Sequence, residues 1–514
     1  MKKIMTVLLL IICCVSLRGQ GFSLSLDIDG DANDGRYMIK SHSGTFIIYC
    51  SGFCMPELIS CDRLIEVNDK GEILKEKLLE DADGTADLPR NIISLNDGGY
   101  AYAHSKFNTV TENYDIFVYK RDENFELIWE KKIAYAKDDI IKGIVQTTNG
   151  DIVATGWTYS YPQTGYRQTF LLCIDGQTQA LKWFKLLKQG ENTYGFTLIQ
   201  DEEGNLLVGG VIYDPEEDDI NGYILKTDSL GNEISWYEIP GLIPDEESIY
   251  PWDSYPDIVL HPDSGFVYEM RYDYFTQDLY KPDITHLVRF HYNENQEYVE
   301  DWRLILDEKD SQWLYSITVA QNGDIIGCGN DLNNPFQEGS STGLLLRVSP
   351  EGELRWLHKI VAMDSTHEAS RYWFWDVAED NTGNIIATGP IQWVDTVYYD
   401  IWLVRTDADG CLYESSCTDP LIFTNGIEDV ESGSVGISVY PNPTDGDFYL
   451  ISNDKTITGY AIYNYNGVLQ KQQKLKVAQG EIVHIDVNDL PNGIYYVAVH
   501  TTDDIVYQKV VIQH

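Results

Sequence analysis

The sequence predicts an all-β protein: a seven-bladed β-propeller followed by a small C-terminal β-sandwich. Three observations lead to this prediction. A turn-plus-strand module recurs seven times, no convincing helix separates the copies, and after residue 436 alternating strands are divided by Pro-Asn and Asn-Gly turns. At 514 residues the chain also exceeds what a single compact core usually holds, so a repeat array or more than one unit is expected.

The repeated module consists of a glycine turn, an apolar strand, a variable loop, a second strand, a second turn and a strand that often carries Trp. Its turn and first strand read NGDIVATG at 149–156, EGNLLVGG at 203–210, NGDIIGCG at 322–329 and TGNIIATG at 382–389, with diverged copies at 43–50, 97–104 and 263–270. The turn glycines recur every 52 to 61 residues: Gly44, Gly98, Gly150, Gly204, Gly265, Gly323 and Gly383. Four antiparallel strands repeated in this way form a propeller blade.

The seventh module ends near Gly410 without its Trp-bearing strand, whereas the alternating segment Phe22–Asp27 has no module of its own. We therefore predict that residues 22–27 complete the sheet containing 382–412 and close the ring, which removes an open sheet edge. The Trp residues of the outermost strands are expected to pack between neighbouring sheets. The predicted propeller spans 20–419, the Gly/Ser/acid-rich linker 420–436 and the C-terminal module 437–514.

The N terminus has the pattern of a signal peptide over residues 1–19. Lys2 and Lys3 precede an apolar run that ends in a short polar exit, and the run is too short for a stable transmembrane anchor. A buried N-terminal helix is the alternative. A lipidated cysteine is disfavoured because neither Cys13 nor Cys14 follows a small residue. Nothing later in the sequence predicts a transmembrane span, and the expected location is the medium or the outer cell surface, reached through the periplasm.

The formal net charge is −44, which disfavours nucleic acid and anionic lipid as partners. In an oxidising compartment, Cys411 and Cys417 are the first candidates for a disulfide, followed by two of Cys50, Cys54 and Cys61. Asp27, Asp29 and Asp31 alternate as in calcium loops, but Met38 stands where an EF-hand needs Glu. A weak, irregular calcium site is therefore set against a solvated acidic turn, and no other metal or cofactor is expected.

No motif predicts a catalytic residue. Gly339–Gly343 matches G-x-S-x-G, but it lies in a loop before a strand, whereas a nucleophile elbow joins a strand to a helix. The ten histidines show no metal-ligand spacing. A catalytic site assembled from distant blades stays open, because sequence spacing does not report spatial convergence.

Topology gives the best argument for a binding site. Loops between second and third strands, and connections between blades, emerge at one end of the propeller, here called the loop face, and they are rich in aromatic residues. Aromatic planes near acids such as Asp214, Glu216, Asp218 and Asp219 suit sugars or peptide anchors. The main candidate ligand-binding residues are Trp157, Tyr159, Tyr161, Trp252, Tyr272, Tyr274, Trp313, Trp373 and Trp393. Tyr166, Tyr398, Tyr399 and Trp375 belong to the same loops. Packing of these rings between blades is the alternative interpretation.

Three motifs follow in order near the C terminus: Tyr440-Pro441-Asn442-Pro443, Leu490-Pro491-Asn492-Gly493-Ile494-Tyr495-Tyr496 and Gln508-Lys509-Val510-Val511. On these residues, 437–514 resembles the type A sorting domain of the Bacteroidetes type IX secretion system. The resemblance implies passage across the outer membrane, with the secretion machinery as partner. The sorting motif it implies comprises Pro441, Asn442, Pro443, Leu490, Pro491, Gly493, Tyr495 and Lys509.

The repeats resemble secreted bacterial propellers of the pyrroloquinoline-quinone-like and related families, which implies a fold and not an activity. The expectation is a monomeric secreted or cell-surface propeller that binds a glycan or a protein. The alternative is an extracellular hydrolase or lyase acting on a polymer. A pocket with two carboxylates facing the loops would favour the enzyme.

Overall fold

A computed structural model describes residues 22–26, 32–54, 59–60, 62–79, 86–87, 92–161, 165–214, 219–239, 256–263, 265–272, 284–293, 297–306, 312–331, 341–363, 369–393, 398–411, 421–424, 437–441, 444, 446–452, 455–464, 469–479, 481–488, 490–502 and 505–512. The described chain is all-β and contains no helix. Its strands form seven sheets of four or five strands up to residue 424, and two further sheets of three and four strands after residue 436.

The first four sheets follow the chain in order. The first contains β2 (Ala32–Lys40), β3 (Phe46–Cys54), β4 (Ile59–Ser60), β5 (Asp62–Val67) and β6 (Ile73–Leu79). The second contains β7 (Ala86–Asp87), β8 (Ile92–Ser94), β9 (Tyr100–Asn108), β10 (Asn113–Arg121) and β11 (Leu127–Ile133). The third contains β12 (Asp139–Gln146), β13 (Ile152–Thr158), β14 (Gln168–Ile174) and β15 (Leu181–Leu186). The fourth contains β16 (Thr193–Gln200), β17 (Leu206–Asp214), β18 (Asp219–Thr227) and β19 (Glu233–Ile239).

Of the next three sheets, the sixth and the seventh each include a strand from a distant part of the chain. The fifth contains β20 (Asp257–Leu260), β21 (Phe266–Tyr272), β22 (Ile284–Tyr292) and β23 (Tyr298–Ile305). The sixth contains β24 (Gln312–Val319), β25 (Ile325–Asp331), β26 (Thr342–Val348), β27 (Leu354–Met363) and β32 (Leu421–Thr424). The seventh contains β28 (Ala369–Tyr372), β29 (Asp376–Glu379), β30 (Ile385–Trp393), β31 (Asp400–Thr406) and the N-terminal β1 (Phe22–Leu26).

The predicted pairing of the N-terminal strand is confirmed. Strand β1 runs antiparallel to β31, with Phe22 opposite Arg405 and Leu26 opposite Ile401. It is the outermost strand of the seventh sheet, and the inner strand β29 of that sheet contacts β2 of the first. The two ends of the repeat array are therefore joined through one sheet. Strand β32, at the start of the segment predicted as a linker, pairs in parallel with residues 360–363 of β27.

The repeated glycine turns join neighbouring strands within each of the seven sheets. In six of them the turn glycine has a positive φ, between 84° and 87°, at Gly44, Gly98, Gly150, Gly204, Gly323 and Gly383. Glycine is favoured at these positions because side chains strain a left-handed backbone. The fifth turn is closed by the same kind of bond, from the His261 N–H to the Gly265 carbonyl, but Gly265 lies one position past the glycines of the other turns.

Side-chain bonds link each sheet to the next. Glutamine or glutamate at the end of an inner strand accepts a hydrogen bond from the preceding sheet's turn in three places: Gln146 from the Asn96 N–H (2.8 Å), Gln200 from the Thr148 N–H (2.8 Å) and Glu379 from the Gln321 N–H (2.7 Å). Buried clusters that combine residues of adjacent sheets fill the space between them. Neighbouring sheets are thus held by apolar packing and by polar links.

The prediction that outer-strand tryptophans pack between sheets is confirmed at three positions. A Cβ added to Gly231, Gly352 or Gly410 would lie 3.0, 2.6 and 2.9 Å from the rings of Trp183, Trp302 and Trp356 respectively. Each tryptophan belongs to the preceding sheet and lies against a turn of the following one. Only glycine leaves room for a ring at this distance from the backbone.

The C-terminal region forms two sheets around one core. The smaller sheet contains β33 (Ile437–Tyr440), β34 (Asp447–Ser452) and β37 (Ile482–Asp486). The larger contains β35 (Ile457–Asn464), β36 (Leu469–Val477), β38 (Gly493–Thr501) and β39 (Ile505–Ile512). Phe448 and Val483 of the smaller sheet share a buried cluster with Ile462 and Val497 of the larger. The described part of the chain contains no helix with the length and hydropathy of a membrane span.

Candidate functional site

Loops at one end of the sheets carry several of the predicted aromatic residues, in more than one cluster. In the third sheet, residues 159–167 join β13 to β14 and residues 187–192 join β15 to the fourth sheet. Both connections leave at the same end because the strands alternate in direction. This end is the loop face expected from the sequence, and the inner strands of all the sheets begin there.

Trp157 lies on strand β13 of the third sheet, and Tyr159 and Tyr161 lie in the loop that follows it. The Trp157 ring is partly buried, 5.2 Å from the Phe196 ring and 5.5 Å from that of Tyr194. Tyr159 lies beneath the Arg167 guanidinium at 5.0 Å, and Tyr161 is 43% exposed beside Tyr135. Trp157 therefore packs between two sheets, and Tyr161 offers more surface to a ligand.

Trp313 and Trp373 belong to a second cluster, where the sixth and seventh sheets meet. Trp375 links its members, because its ring centroid lies 4.5 Å from that of Tyr315 and 5.8 Å from that of Trp373. The Trp313 ring carries the Arg271 guanidinium at 4.4 Å. All four aromatic rings are partly exposed. The four rings form a continuous aromatic surface, and the Arg271 guanidinium packs against one of them, Trp313.

Arg36 and Asp34 of the first sheet both contact Trp375 and so link this cluster to that sheet. Arg36 lies over the Trp375 ring at 4.6 Å, and its Nε is 2.7 Å from Asp34 Oδ2. The same oxygen accepts a hydrogen bond from the Trp375 indole N–H at 3.3 Å. Burial raises the pKa of Asp34, while the positive charge of Arg36 opposes that rise. The positive charge of Arg36 is therefore balanced by the neighbouring Asp34 carboxylate.

A cleft of about 320 Å³ opens on the loop face between the third and fourth sheets. Tyr166 and Asp214, both in loops singled out from the sequence, line it together with residues that the sequence did not indicate: Lys188, Gly190, Glu191, Asn192, Ile212, Tyr213, Asn221, Trp236 and Glu238. Its volume lies at the lower end of the range of small-molecule sites, which is about 300–1,000 Å³.

The walls of the cleft are fixed by hydrogen bonds. The Asn192 side-chain oxygen accepts from the Arg167 N–H at 3.1 Å, and the Asn192 carbonyl accepts from the Tyr213 N–H at 2.9 Å. The Lys188 N–H donates to Glu233 Oε1 at 2.7 Å. These bonds join loops of the two sheets, so the cleft is formed before any ligand arrives.

Trp236 supplies the aromatic wall. Its ring stacks on Tyr223 with centroids 4.4 Å apart, and Tyr223 is in turn hydrogen-bonded to Thr169 at 2.7 Å. The Lys188 ammonium lies 4.3 Å from the Trp236 ring centroid. Carboxylates complete the lining, with Glu191 exposed and Glu238 accepting a bond from the Asn221 side chain at 2.9 Å. The cleft thus combines a fixed indole with hydrogen-bond acceptors and one cation.

Asp139 is a buried carboxyl just beneath the loop face. Burial raises its pKa to about 6, the negative charge of Asp115 adds to the rise, and a hydrogen bond from the Thr158 hydroxyl opposes it. Both aspartates are nearly inaccessible, at 0% and 1% exposure. They do not form a substrate-facing pair of acids.

The raised pKa of Asp139 gives a prediction for stability. Because the folded-state pKa lies above 3.8, the stabilising contribution is complete below pH 3.8 and is lost as pH rises through about 6. Asp139→Asn keeps an acceptor for Thr158 and cannot ionise. We expect it to unfold like wild type near pH 4 and to be about 1–3 kcal/mol more stable at pH 8.

Urea unfolding at the two pH values checks this prediction. Asp175 is the control, because hydrogen bonds from Thr178 and Gln177 lower its pKa to about 2. Asp175→Asn should therefore lose stability at pH 8 relative to wild type. A stability difference for Asp139→Asn that does not change with pH would contradict the expectation.

Several predicted sites lie partly or wholly outside the described residues. Trp252 and Tyr274 are outside them, as are the side chains of Tyr272, Asp219 and Trp393, the acids Glu216 and Asp218, and the calcium candidates Asp27, Asp29 and Asp31. Cys417, the predicted partner of Cys411, is also outside, so that bridge stays a prediction. Cys50 is buried and unpaired, so a second bridge cannot use it. The described residues hold no group of three metal-ligating side chains.

The sorting-motif residues are mainly structural where they are described. Leu490 and Tyr495 are buried at 7% and 5% exposure, and the Tyr495 hydroxyl donates to the Pro491 carbonyl at 2.9 Å. Pro441 is exposed, and Gly493 begins β38. Lys509 lies in β39 opposite Tyr496. Asn442, Pro443 and the Lys509 side chain lie outside the described residues.

Residues 438–513 match the family of secretion system C-terminal sorting domains. The match indicates export through the type IX secretion system to the cell surface or beyond. It also implies an interaction with the secretion machinery. No curated protein matches the sequence significantly.

Three of the solved structures that resemble parts of this chain are as follows, and one of them is described as a β-propeller domain. The β-propeller domain of the Trilobed protease from Pyrococcus furiosus is 12% identical, with 78% of this chain and 100% of that chain covered at a TM-score of 0.40. The α-L-arabinofuranosidase Arb93A from Fusarium graminearum is 8% identical, with 77% and 99% covered at 0.43. The polysaccharide lyase Uly1 is 8% identical, with 73% and 90% covered at 0.45.

Proposed function

We propose that this exported protein is a seven-bladed β-propeller, followed by a small β-sandwich sorting domain, and that it binds a glycan or a protein through its loop face. The proposal rests mainly on the cleft between the third and fourth sheets. A fixed indole next to carboxylate and amide oxygens is the arrangement that binds polyols, because the ring accepts a sugar face and the oxygens accept hydroxyl protons. A neutral sugar unit is therefore the ligand we favour.

The binding prediction is tested with the mature protein on a glycan and peptide array, followed by titration of the best ligand. Trp236→Ala should weaken binding about tenfold or more, because loss of a central aromatic contact typically costs over 1.4 kcal/mol. Ile234→Ala is the matched control, since Ile234 lies on the same strand, is 54% exposed and does not line the cleft. Equal affinities of the wild-type protein and the Trp236→Ala variant would contradict binding at this cleft.

The second candidate function is hydrolysis or lyase cleavage of an extracellular polymer. The observation that favours it is the presence of three carboxylates, Glu191, Asp214 and Glu238, around one cleft. An enzyme would shorten the polymer and release new chain ends, and Glu191→Gln or Glu238→Gln would abolish that release while leaving binding measurable. A ligand bound for hours without new chain ends would support the binding function alone.

A further inference from the structure

The outer surface of the smaller C-terminal sheet carries an unusual row of side chains. Tyr440, Tyr449 and His484 are directly opposite one another on three adjacent strands, and Ile451 is opposite Ile482 on the same sheet. Residues two apart on a strand point to the same face. These five residues therefore form one surface, here called the aromatic face.

The aromatic face is exposed although it is largely apolar. Tyr440 is 43% exposed and Ile482 is 55% exposed, and the His484 side chain is 54% exposed. The alternate residues Phe448, Leu450, Val483 and Ile485 face the core instead. The solvated side of an antiparallel sheet is normally polar, so two tyrosines and two isoleucines on this side need a reason beyond folding.

Contacts within the face hold it in one arrangement. The Tyr449 ring lies 5.8 Å from the Tyr440 ring and 5.2 Å from the His484 ring. His484 Nε2 is 3.1 Å from Asp447 Oδ2, and Asp447 is opposite Asp486 at one end of the face. A rigid aromatic row bordered by charge is a typical centre and rim of a protein interface.

We propose that the aromatic face is the surface by which the sorting domain docks on the type IX secretion machinery, on a protein site that is apolar with a basic border. Two observations support this occupant. The match to sorting domains covers all three strands of the face from residue 438 onward. The rest of the chain is a poor partner for the Asp447 and Asp486 border, because the protein carries a net charge of −44.

The larger sheet presents a different surface, which supplies a control. Its edge strand β36 carries exposed Gln472, Lys474 and Lys476. Lysine on an exposed edge strand discourages unwanted strand pairing, so these residues have a structural explanation without a partner. A charge added at Gln472 should therefore leave docking unchanged.

Export of the full chain in its native host tests the proposal. We expect Tyr449→Lys combined with Ile482→Lys to lower the amount outside the cell at least tenfold, with the protein retained in the periplasm as in a truncation that lacks 430–514. Gln472→Lys and Tyr449→Phe should be exported like wild type. The purified double variant should keep the wild-type thermal midpoint, which separates docking from folding.

Normal export of the folded double variant would overturn the proposal, as would equal loss of export in Gln472→Lys. If the double variant does not fold, Ile482→Asn alone carries the test, because more than half of that side chain is exposed and little packing is lost. None of these outcomes depends on ligand binding at the loop face. A failed glycan titration therefore leaves the docking proposal unaffected, and the reverse also holds.

Discussion

Replacing Trp402 with alanine is expected to lower the free energy of unfolding by about 3–5 kcal/mol, the range for truncation of a large buried aromatic residue. Trp402 is completely buried on β31. Its ring stacks on Phe374 with centroids 4.3 Å apart and meets Tyr372 at 5.3 Å. The loss should be large because the indole fills the space where three segments meet: residues 372–374 of the seventh sheet, Gly343 of the sixth sheet and the N-terminal strand β1.

The neighbouring segments cannot move in to fill the cavity that Trp402→Ala would leave. A Cβ on Gly343 of the sixth sheet would lie 2.7 Å from the Trp402 ring, so backbone already touches one side. On the other side the indole N–H donates to the Ser23 hydroxyl of the N-terminal strand at 2.9 Å. Main chain moves less readily than side chains, and the cavity left by alanine should persist.

Urea unfolding of the mature protein measures the effect. Trp402→Phe keeps an aromatic ring and should lose less, and Ser23→Ala should cost about 1–3 kcal/mol because it leaves the buried indole N–H without its acceptor. Leu230→Ala, at a site 60% exposed, should stay within about 0.5 kcal/mol of wild type. A cost for Trp402→Ala no larger than that of Leu230→Ala would mean that the seventh sheet is not held at this junction.

The sheets could be predicted because their signals are local. A glycine turn between two apolar strands specifies a hairpin within a few residues, and seven such signals at similar spacing mark seven sheets. Strand β32 had no such signal. Three of its four residues are apolar, but its pairing with residues 360–363 joins segments about sixty residues apart, and neither a turn nor an alternating pattern predicts that pairing. Non-local parallel pairing is the part of the fold that the sequence does not reveal.

The loop face could be predicted, but not which of its aromatic residues line a cleft. Alternation of strand direction places the loops at one end regardless of detail. Whether a ring fills the gap between two sheets or faces an opening depends on how the sheets are offset. Trp157 packs against Phe196, whereas Trp236, predicted to pack as an outer-strand tryptophan, both stacks on Tyr223 and lines the cleft.

In the C-terminal region the recognisable motif and the proposed docking surface are mostly different residues. Leu490 and Tyr495 are buried and shape the Pro-Asn-Gly turn. Tyr449 and His484 lie on the aromatic face outside the motif, and Tyr440 belongs to both. Buried positions give a sequence pattern because the core constrains them strongly, whereas a surface row across three strands appears only when the strands are paired.

Gly352→Ala should lower the free energy of unfolding by about 2–5 kcal/mol, through two separate costs. Gly352 has a φ of +88°, where a side chain costs roughly 1–2 kcal/mol. In addition, an added Cβ would lie 2.6 Å from Trp302 Cδ2. That ring cannot easily shift, because its N–H donates to the Pro350 carbonyl of the same turn at 2.8 Å, and overpacking of this kind costs about 1–3 kcal/mol.

Gly150→Ala separates the two costs. Gly150 has nearly the same φ, +87°, but nothing lies within 4 Å of an added Cβ. Gly150→Ala should therefore lose only the stability that the left-handed backbone costs. The difference between the free energies of unfolding of Gly150→Ala and Gly352→Ala, measured in urea, then reports the contact with the Trp302 ring alone. When Gly352→Ala is made in a Trp302→Ala background, it should cost only the part due to the left-handed backbone relative to Trp302→Ala alone, since the clash is then removed. Equal destabilisation by the two glycine substitutions would mean that tryptophan packing against turns does not fix the spacing of the sheets.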